Sequence, residues 1–317
     1  MYKEKIIGVV VPAYNEEKLI CQVINTIPNF VDYIVIVDDY SRDNTVTVVK
    51  KYQEKLNQRL VLICHEENKG VGGAITTGYK WCLDHSVDVS VVMAGDAQMD
   101  PSDMERLIDP VACEEVDYSK GNRLISGEAW NTIPRVRYLG NAMLSLLTKV
   151  ASGYWHIADS QTGYTAASLK VLRTLPLDKI YPRYGMPNDM LVKLNIYNFR
   201  VRDVEIKPIY GIGEKSGIRP IRMIPRLSWL IFKLFLWRMV QKYIIRDFHP
   251  LIFFYTLSIF LLGIIFPVLS FRLIYYWVTI GHIPPINALA SMMVLITGLQ
   301  FLLFAMWFDM DYNRNLR

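Results

Sequence analysis

Four short apolar segments, each followed by a polar turn, constrain the fold of this chain more than any other feature. They cover residues 6–11, 33–37, 60–64 and 89–93. A helical pattern follows each segment before the next one begins. Strands that alternate with helices in this way are typical of a parallel sheet. We therefore predict an α/β, Rossmann-like architecture with a mostly parallel sheet covered by helices.

Carboxylates follow three of these predicted strands. Glu16 comes after the first strand, and Asp38 and Asp39 end the second. Asp96 follows the fourth. Because the carboxyl ends of parallel strands share one edge of a sheet, these charges would repel one another unless something offsets them. A metal ion, or the hydroxyl groups of a sugar or ribose, would do so, and we expect a ligand site at this edge.

The loop after the fourth strand, with the sequence GDAQMDP, places several oxygen donors close together. Asp96 and Gln98 suit Mg²⁺ or Mn²⁺ bound together with a diphosphate. Asp100 precedes Pro101 at a predicted helix start, so we interpret Asp100 as the N-cap. Capping does not account for Asp96, which lies closer to the strand end, and we favour a metal-binding role for it.

Two long apolar segments occupy the last part of the chain. Residues 251–271 are almost wholly apolar, and residues 286–308 contain no charge. Each is long enough to cross a hydrocarbon layer of about 30 Å, which predicts an integral membrane protein with a two-helix transmembrane hairpin and a short cytoplasmic tail in residues 250–317. The apolar run near the N-terminus is too short for a signal peptide, so we expect the preceding part of the chain to lie on the cytoplasmic face.

A basic segment lies directly before the predicted hairpin. Residues 207–246 contain nine Lys or Arg residues and a single acid, Glu214. Aromatic and aliphatic residues interleave with these cations at helical spacing, which favours anionic lipid headgroups over nucleic acid. We predict interfacial amphipathic helices over residues 219–249, with membrane lipids and no nucleic acid as partners.

Several motifs, in order along the chain, resemble those of family 2 glycosyltransferases of the GT-A fold, and in particular the polyprenyl-phosphate glycosyltransferases related to dolichol-phosphate mannose synthase. They are VVPAYNE at residues 10–16, VDD at residues 37–39 and GDAQ at residues 95–98. The resemblance covers roughly residues 6–218, and it implies that residues 1–218 form a cytoplasmic GT-A catalytic domain.

The resemblance implies a nucleotide-sugar donor, linked to UDP or GDP, at the strand ends and the glycine turns. The residues implied are Pro12, Ala13, Tyr14, Glu16, Val37, Asp38, Asp39, Gly70 and Gly95. For Gly70, which belongs to a glycine-rich turn, a tight turn without a ligand is the simpler interpretation. Asp96 and Gln98 are implied to bind the metal ion and the diphosphate. Ala94 stands where the family usually has a second Asp, so binding of the metal ion would depend more on the oxygens of the diphosphate.

The resemblance also implies an acceptor site. Arg123 matches an arginine that meets phosphate, and Arg137 with Asn141 fits the pair that binds the acceptor phosphate; a solvated helix face is the alternative. Asp189 occupies the place of an acidic residue near the acceptor, although it could instead cap a helix. Lys215 and Ser216 are the nearest matches in a mobile loop that closes over the donor.

Together these features predict an inverting, metal-dependent transfer of a sugar to a polyprenyl or dolichyl phosphate. Asp96 would act through the metal ion, and Asp189 would orient the acceptor. Two alternatives stay open. The first is transfer to a lipid or glycolipid hydroxyl, in which Asp189 would act as the base. The second is a membrane protein that binds a nucleotide-sugar without turnover, which the missing acid at Ala94 would support. The sequence also leaves open whether the chain forms a homo-oligomer.

Overall fold

The computed structural model describes residues 1–125, 135–207, 209 and 220–317, and it leaves the side chains of residues 135–137 and 220–223 undescribed. A seven-stranded sheet forms the centre of the first part of the chain. Its strands are β1 (Ile7–Ala13), β2 (Tyr33–Asp38), β3 (Leu60–Cys64), β4 (Val89–Val92), β5 (Tyr118–Asn122), β6 (Thr165–Ser168) and β7 (Val201–Glu205).

The strand order is β3-β2-β1-β4-β6-β5-β7. Strands β3, β2, β1 and β4 run parallel to one another. β6 is antiparallel to both β4 and β5, and β7 is parallel to β5. The predicted mostly parallel sheet is therefore confirmed. The strand order reverses between β1 and β4, and ligands of open α/β sheets bind outside the carboxyl ends of the strands at such a switch point.

Helices cover the sheet, as the alternating pattern predicts. They are α1 (Ile20–Thr26), α2 (Thr45–Leu56), α3 (Val71–Asp84), α4 (Met104–Ala112), α5 (Arg135–Ser152), α6 (Leu169–Thr174), α7 (Met186–Ile196) and α8 (Pro220–Val240), with a π-helix at Gln241–Arg246 after α8. A 3₁₀ turn at Pro101–Asp103 precedes α4, and the Asp100 carboxylate accepts a hydrogen bond from the Ser102 amide (2.9 Å). The N-cap assignment of Asp100 is confirmed.

Alternate side chains of β1 enter two separate cores. Val9 and Val11 pack with residues of α1, α2 and α4, whereas Val10 packs with residues of α3, α6 and α7. Because successive side chains of a strand point to opposite faces, the sheet is buried between two helical layers. Helix α3 approaches β1 closely, since a Cβ atom on Gly78 would lie 2.2 Å from Cγ1 of Val10.

The chain divides into two compact units, residues 1–235 with 316–317, and residues 236–315. The second unit contains two helices long and apolar enough to cross a membrane, Leu251–Ile280 and Pro285–Tyr312. They pack against each other: Ser258 Oγ donates to the carbonyl of Gly298 (3.0 Å), and a Cβ atom on Gly298 would lie 2.6 Å from Leu262. The first of these helices continues beyond the predicted end at residue 271.

Candidate functional site

The carboxyl ends of β1, β2 and β4 lie side by side and deliver acidic side chains to one edge. Ala13 pairs with Asp38 in the sheet register, and the Asp39 amide donates to the carbonyl of Ala13 (2.8 Å). The Gly95 amide donates to the carbonyl of Pro12 (3.2 Å). The loops that follow these strands therefore adjoin one another at the point where the strand order reverses.

The carboxyl groups of Glu16 and Asp96 lie close enough at this edge to affect each other's ionisation. A Cβ atom on Gly95 would lie 3.5 Å from Cγ of Glu16, so the backbone of the Asp96 loop passes directly beside the Glu16 side chain. Burial, together with the negative charges of Asp96 and Asp43, raises the pKa of Glu16 to about 7. A carboxyl group whose pKa is raised by burial and by neighbouring negative charge indicates a site where a bound cation would be stabilised.

The Asp96 loop can supply part of a metal-ligand set. The Asp96 carboxylate accepts a hydrogen bond from the Gln98 amide (3.1 Å), which brings both predicted ligands onto one turn. Across residues 1–125, 135–207, 209 and 220–317, the structure contains no group of three or more His, Cys, Asp or Glu side chains placed to hold a metal. An ion held by Asp96 and Gln98 would need further ligands, such as the oxygens of a bound diphosphate, and metal binding by these two residues stays a prediction.

Asp38 offers a carboxylate oxygen that the protein itself leaves unsatisfied. The side chain is only 3% exposed, and one of its oxygens, Oδ2, accepts a hydrogen bond from the Ser41 amide (3.0 Å). Its other oxygen, Oδ1, is buried and has no hydrogen-bond partner among the described residues. Because buried carboxylate oxygens are normally paired, a ligand hydroxyl or N–H group would satisfy this atom.

Asp39 has a different environment, because the protein already satisfies its carboxylate. Asp39 Oδ1 is 2.8 Å from Nδ1 of His65 and accepts from the Lys69 amide, and Oδ2 accepts from the Gly70 amide. Gly70 has a φ of +84°, and a Cβ atom there would lie 2.6 Å from the carbonyl of Pro182. The glycine-rich turn is therefore a tight turn packed on neighbouring backbone, and donor contacts by Asp39 and Gly70 stay a prediction.

The remaining residues predicted for the donor differ in how a ligand could reach them. Tyr14 is 45% exposed beside the site, so its ring is available to a nucleobase. Ala13 and Val37 are buried in the two cores. A ligand would meet these two residues through their backbone rather than their side chains. Pro12 is half-buried and Gly95 is buried.

A second polar cluster adjoins this edge at the end of β5. Arg123 donates to Asp159 through Nε (2.8 Å) and a terminal nitrogen (3.2 Å), which makes a bidentate pair. Burial alone would raise the pKa of the Asp159 carboxyl, but the charge and hydrogen bonds of Arg123 hold it below its usual value. The segment that carries Asp159 reaches the Asp96 loop, because Tyr164 Oη donates to the carbonyl of Asp100 (3.1 Å).

Three charged residues of this cluster were not among the predicted site residues: Lys120, Asp159 and Asp203. Lys120 donates to the carbonyl of Thr162, and it stands opposite Asp203 in the register of β5 and β7. Burial lowers the pKa of Lys120 and raises that of Asp203. A lysine within a buried strand is the signal that could have pointed to this cluster, since such a charge requires partners.

Asp189 lies in the first turn of α7, and its carboxylate is buried. It accepts hydrogen bonds from the Tyr181 amide (2.7 Å) and from Lys193 one turn later. The N-cap of the helix is Gly185, so the alternative of a capping role for Asp189 is wrong. The neighbouring Asn188 accepts hydrogen bonds from Thr148 of α5 and from Gln161. These contacts tie α7 to the segment that follows Asp159.

The other predicted acceptor residues have only partial descriptions. Arg137 lies in α5, but its side chain falls outside the described residues. Asn141, one turn later on the same helix, is half-buried. Lys215 and Ser216 lie outside the described residues. Their contacts with a substrate stay predictions.

Comparison with known proteins gives this geometry a context. The model of the family described as glycosyl transferase family 2 matches residues 8–175. The UDP-N-acetylglucosamine–dolichyl-phosphate N-acetylglucosaminyltransferase of Methanococcus voltae is 34% identical over 65% of this chain and 87% of that enzyme. The undecaprenyl-phosphate mannosyltransferase of Micrococcus luteus is 27% identical over 66% of this chain and 86% of that enzyme.

A solved structure has a similar fold. Glucosyl-3-phosphoglycerate synthase from Mycobacterium tuberculosis, in complex with Mn²⁺, uridine diphosphate and glucosyl-3-phosphoglycerate, superposes with a TM-score of 0.53. The match covers 74% of this chain and 80% of that one, at 22% sequence identity. At this identity the similarity concerns the fold alone, and it confirms the predicted GT-A architecture.

Proposed function

Because the chain belongs to glycosyl transferase family 2, we propose that it transfers a sugar from a nucleotide-sugar donor to a polyprenyl or dolichyl phosphate. One observation carries the proposal above all: Glu16, the unsatisfied oxygen of Asp38, and Asp96 lie at the adjacent carboxyl ends of β1, β2 and β4, next to the switch point of the sheet. This arrangement suits a cationic or hydroxyl-bearing ligand. Curated relatives are named for transfer to dolichyl or undecaprenyl phosphate.

The donor, linked to UDP or GDP, occupies the edge formed by β1, β2 and β4. The exposed ring of Tyr14 stacks on the base, and Oδ1 of Asp38 accepts a hydrogen bond from the base or ribose. Backbone groups near Ala13 and Val37 complete this contact. Asp39 holds the adjacent turn through the Lys69 and Gly70 amides, which shapes one wall of the donor site.

The cofactor is Mg²⁺ or Mn²⁺, held by Asp96 and Gln98 together with the diphosphate. When bound, the ion supplies positive charge that offsets the negative charge growing on the departing nucleotide diphosphate. The negative charge at Asp96 and Glu16 favours such a cation. The hydrogen bond from the backbone amide of Gln98 to the Asp96 carboxylate holds the two residues on one turn.

The acceptor phosphate binds beside this site, on Arg123 and on Arg137 with Asn141, and the loop with Lys215 and Ser216 closes over the donor. A guanidinium group presents paired donors that match phosphate oxygens. Asp159 orients Arg123 by its bidentate contact, so that the outer edge of the guanidinium faces the acceptor. Asp189, held by Lys193 and the Tyr181 amide, maintains α7 beside the acceptor.

Transfer proceeds with inversion in a single displacement. An oxygen of the acceptor phosphate forms a bond to the anomeric carbon, while the bond from that carbon to the donor's phosphate oxygen breaks. The nucleoside diphosphate departs with the electron pair. Because the acceptor phosphate is already anionic near pH 7, the step requires no general base.

The reaction takes place at the cytoplasmic face of a membrane. The helices Leu251–Ile280 and Pro285–Tyr312 anchor the protein in the bilayer. The basic and apolar helix α8 lies along the headgroups, where the phosphate of a polyprenyl lipid is found. A soluble donor and a lipid acceptor can therefore meet on one protein.

Substitution of Asp96 tests this proposal. We expect Asp96→Asn to retain the fold but to reduce sugar transfer by at least about a hundredfold, because it removes anionic support for the metal. Purified protein in detergent is incubated with polyprenyl phosphate and radiolabelled UDP-N-acetylglucosamine, UDP-glucose or GDP-mannose, with Mn²⁺ or with EDTA, and labelled lipid is counted. Asp84→Asn, at an exposed carboxylate of α3, is the matched control. Near-normal turnover of Asp96→Asn with unchanged metal dependence would contradict the assignment.

A further inference from the structure

The carboxylate of Asp203, on β7, holds two segments of the chain together through a single oxygen. Its Oδ2 accepts a hydrogen bond from Nδ2 of Asn122 at the end of β5 (2.6 Å). The same oxygen accepts from the backbone amide of Ala158, in the segment that precedes β6 (2.7 Å). Asn122 and Ala158 lie far apart in the sequence, so this shared contact fixes two distant segments against each other.

The residue that follows each of these contacts belongs to the pair formed by Arg123 and Asp159. Arg123 comes directly after Asn122, and Asp159 comes directly after Ala158. Because consecutive Cα atoms are about 3.8 Å apart, a contact between the two preceding residues limits how far the partners of the pair can separate. Asp203 is therefore placed to set the geometry of a pair to which it does not itself belong.

Lys120 secures the other end of the segment that carries Asp159. Its ammonium group donates to the carbonyl of Thr162, and the side chain is only 1% exposed. Lys120 also stands opposite Asp203 in the register of β5 and β7. Asp203 and Lys120 thus anchor the two ends of residues 158–162, and Asp159 lies between these anchors.

Two cations and two acids make up this cluster. Lys120 and Asp159 are buried, Asp203 and Arg123 are half-buried, and the charges of Asp159 and Asp203 both favour the protonated form of Lys120. Buried ions are retained only when they have partners, but apolar residues of similar volume usually stabilise a protein as well as such ions do. Stability alone therefore does not account for four charged groups at the end of β5.

We propose that Asp203, with Lys120 as the second anchor, is a positioning residue for Arg123. By holding the residues that precede Arg123 and Asp159, it keeps the guanidinium group in the orientation in which that group meets the acceptor phosphate. This inference rests on the proposed function, in which Arg123 binds that phosphate. Asp203 and Lys120 act through Arg123 and Asp159 rather than by contact with the acceptor.

Chemical footprinting of arginine tests the proposal without depending on the reaction. The full chain in detergent is treated with phenylglyoxal, and the rate of modification of each arginine is measured by mass spectrometry of its peptides. Asp203→Ala removes the shared oxygen, whereas Asp203→Asn keeps a carbonyl oxygen that can accept both hydrogen bonds. Glu115→Ala is the matched control, because it removes an exposed carboxylate that pairs with Arg202, the neighbour of Asp203 on β7.

Arg59 serves as the internal reference for general loosening of the fold. It is half-buried like Arg123, and its guanidinium group donates to the carbonyls of Val31 (3.0 Å) and Pro28 (2.8 Å). We expect Arg123 to be modified several-fold faster in Asp203→Ala than in the wild type. The rate at Arg123 should be unchanged in Asp203→Asn and Glu115→Ala, and the rate at Arg59 should be the same in every variant.

Three results would overturn the proposal. Equal rates at Arg123 in the wild type and Asp203→Ala would show that Asp203 does not hold it, and a parallel rise at Arg59 would show loosening of the whole unit. Asp203→Asn as reactive as Asp203→Ala would show that the two hydrogen bonds are not what holds Arg123. If Asp203→Ala does not fold, the double variant Lys120→Met with Asp203→Ala, which leaves no unpaired charge, provides the same comparison.

Steady-state kinetics connect the footprint to the proposed function. We expect Asp203→Ala to raise the KM for polyprenyl phosphate while the donor KM stays unchanged, and to add nothing to the effect of Arg123→Ala, because residues that act through one another are not additive. A further rise in the double variant would show that Asp203 acts elsewhere. A wild type that does not use polyprenyl phosphate would contradict the proposed function, whereas the footprint at Arg123 would still decide whether Asp203 positions it.

Discussion

At the scale of single residues, the proposed contact with an acceptor phosphate depends on the pair formed by Arg123 and Asp159. Asp159 is fully buried, and its carboxylate takes two guanidinium hydrogen bonds of Arg123. The side chain of Arg123 is 16% exposed, so it is not closed off from solvent. We therefore expect Asp159 to position Arg123, a role that the sequence resemblance did not imply for it.

We expect Arg123→Ala to raise the apparent KM for polyprenyl phosphate much more than it changes donor binding, because a charge-assisted pair to the phosphate is lost. Arg123→Lys should restore only part of the effect, since an ammonium group cannot form the bidentate contact. Steady-state kinetics at varied polyprenyl phosphate concentration measure the acceptor KM of each variant. Arg173→Ala, at an exposed position of α6, is the control. An Arg123→Ala variant with the acceptor KM of Arg173→Ala would show that Arg123 does not bind the acceptor. Thermal unfolding is recorded alongside, because Asp159 is left buried without its partner.

At the scale of secondary-structure elements, much of the fold was predictable because local patterns determine it. The apolar runs of β1 to β4 indicate strands by composition alone, and the carboxylates that follow them must share an edge once those strands are parallel. The pairing of Lys120 with Asp203 could not be predicted in this way. It depends on the register between β5 and β7, which are far apart in the sequence, and on the antiparallel insertion of β6.

Asp38 and Asp39 illustrate the same difference within one motif. The sequence predicts that both acids lie at the end of β2, and the structure places them there. The protein satisfies the carboxylate of Asp39, because the His65 ring and the amides of Lys69 and Gly70 bind that carboxylate and not the carboxylate of Asp38. A sequence pattern cannot distinguish two adjacent carboxylates by their tertiary partners.

Within the second unit, a buried ion pair connects the end of α8 to the second apolar helix. Arg238 makes two 2.9 Å hydrogen bonds to the Asp309 carboxylate, and both side chains are fully buried. Tyr243 donates to the same carboxylate. Asn313 accepts a hydrogen bond from Lys242 (2.7 Å). These contacts fix the basic segment to the apolar helix by directed bonds rather than by apolar packing alone.

Removing one partner of this pair should be costly, because the other charge is left buried and unpaired. We expect Arg238→Ala to lower the free energy of unfolding by about 3–5 kcal/mol. The double variant Arg238→Met with Asp309→Leu should recover most of that loss. Denaturant titration in detergent micelles measures both, with Lys233→Ala on the exposed side of α8 as the control. A double variant as unstable as the single one would show that the pair does not act as a unit.

At the scale of the whole molecule, the division of the chain constrains its topology. Residues on both sides of the two apolar helices belong to the first unit, since Leu316 accepts a hydrogen bond from the Val201 amide (3.1 Å) and packs in its core. If both helices cross a membrane, the chain must cross it twice and return to the side of the first unit, residues 1–235 with 316–317, which we call the catalytic unit. This agrees with the hairpin that the apolar segments predicted.

Thiol labelling in intact cells tests this topology. We expect a membrane-impermeant maleimide to modify His282→Cys, in the turn between the two apolar helices, and to leave the exposed Cys64 and Cys113 of the catalytic unit unmodified until the cells are opened. The wild-type chain is the control for background labelling. Modification of Cys64 and Cys113 in intact cells would place the catalytic unit on the outer face and contradict the proposed localisation.

The central claim, transfer to a lipid phosphate rather than to a hydroxyl, is tested most directly by comparing two acceptors of equal chain length. Polyprenyl phosphate and polyprenol are offered to the wild type and to Asp189→Asn in the same detergent, with the labelled donor that supports turnover. We predict labelled product with polyprenyl phosphate and none with polyprenol, and release of one nucleoside diphosphate for each sugar transferred. Asp189→Asn should retain measurable turnover, because an ionised acceptor needs no proton removed. Transfer to polyprenol that requires Asp189, with none to polyprenyl phosphate, would contradict the account.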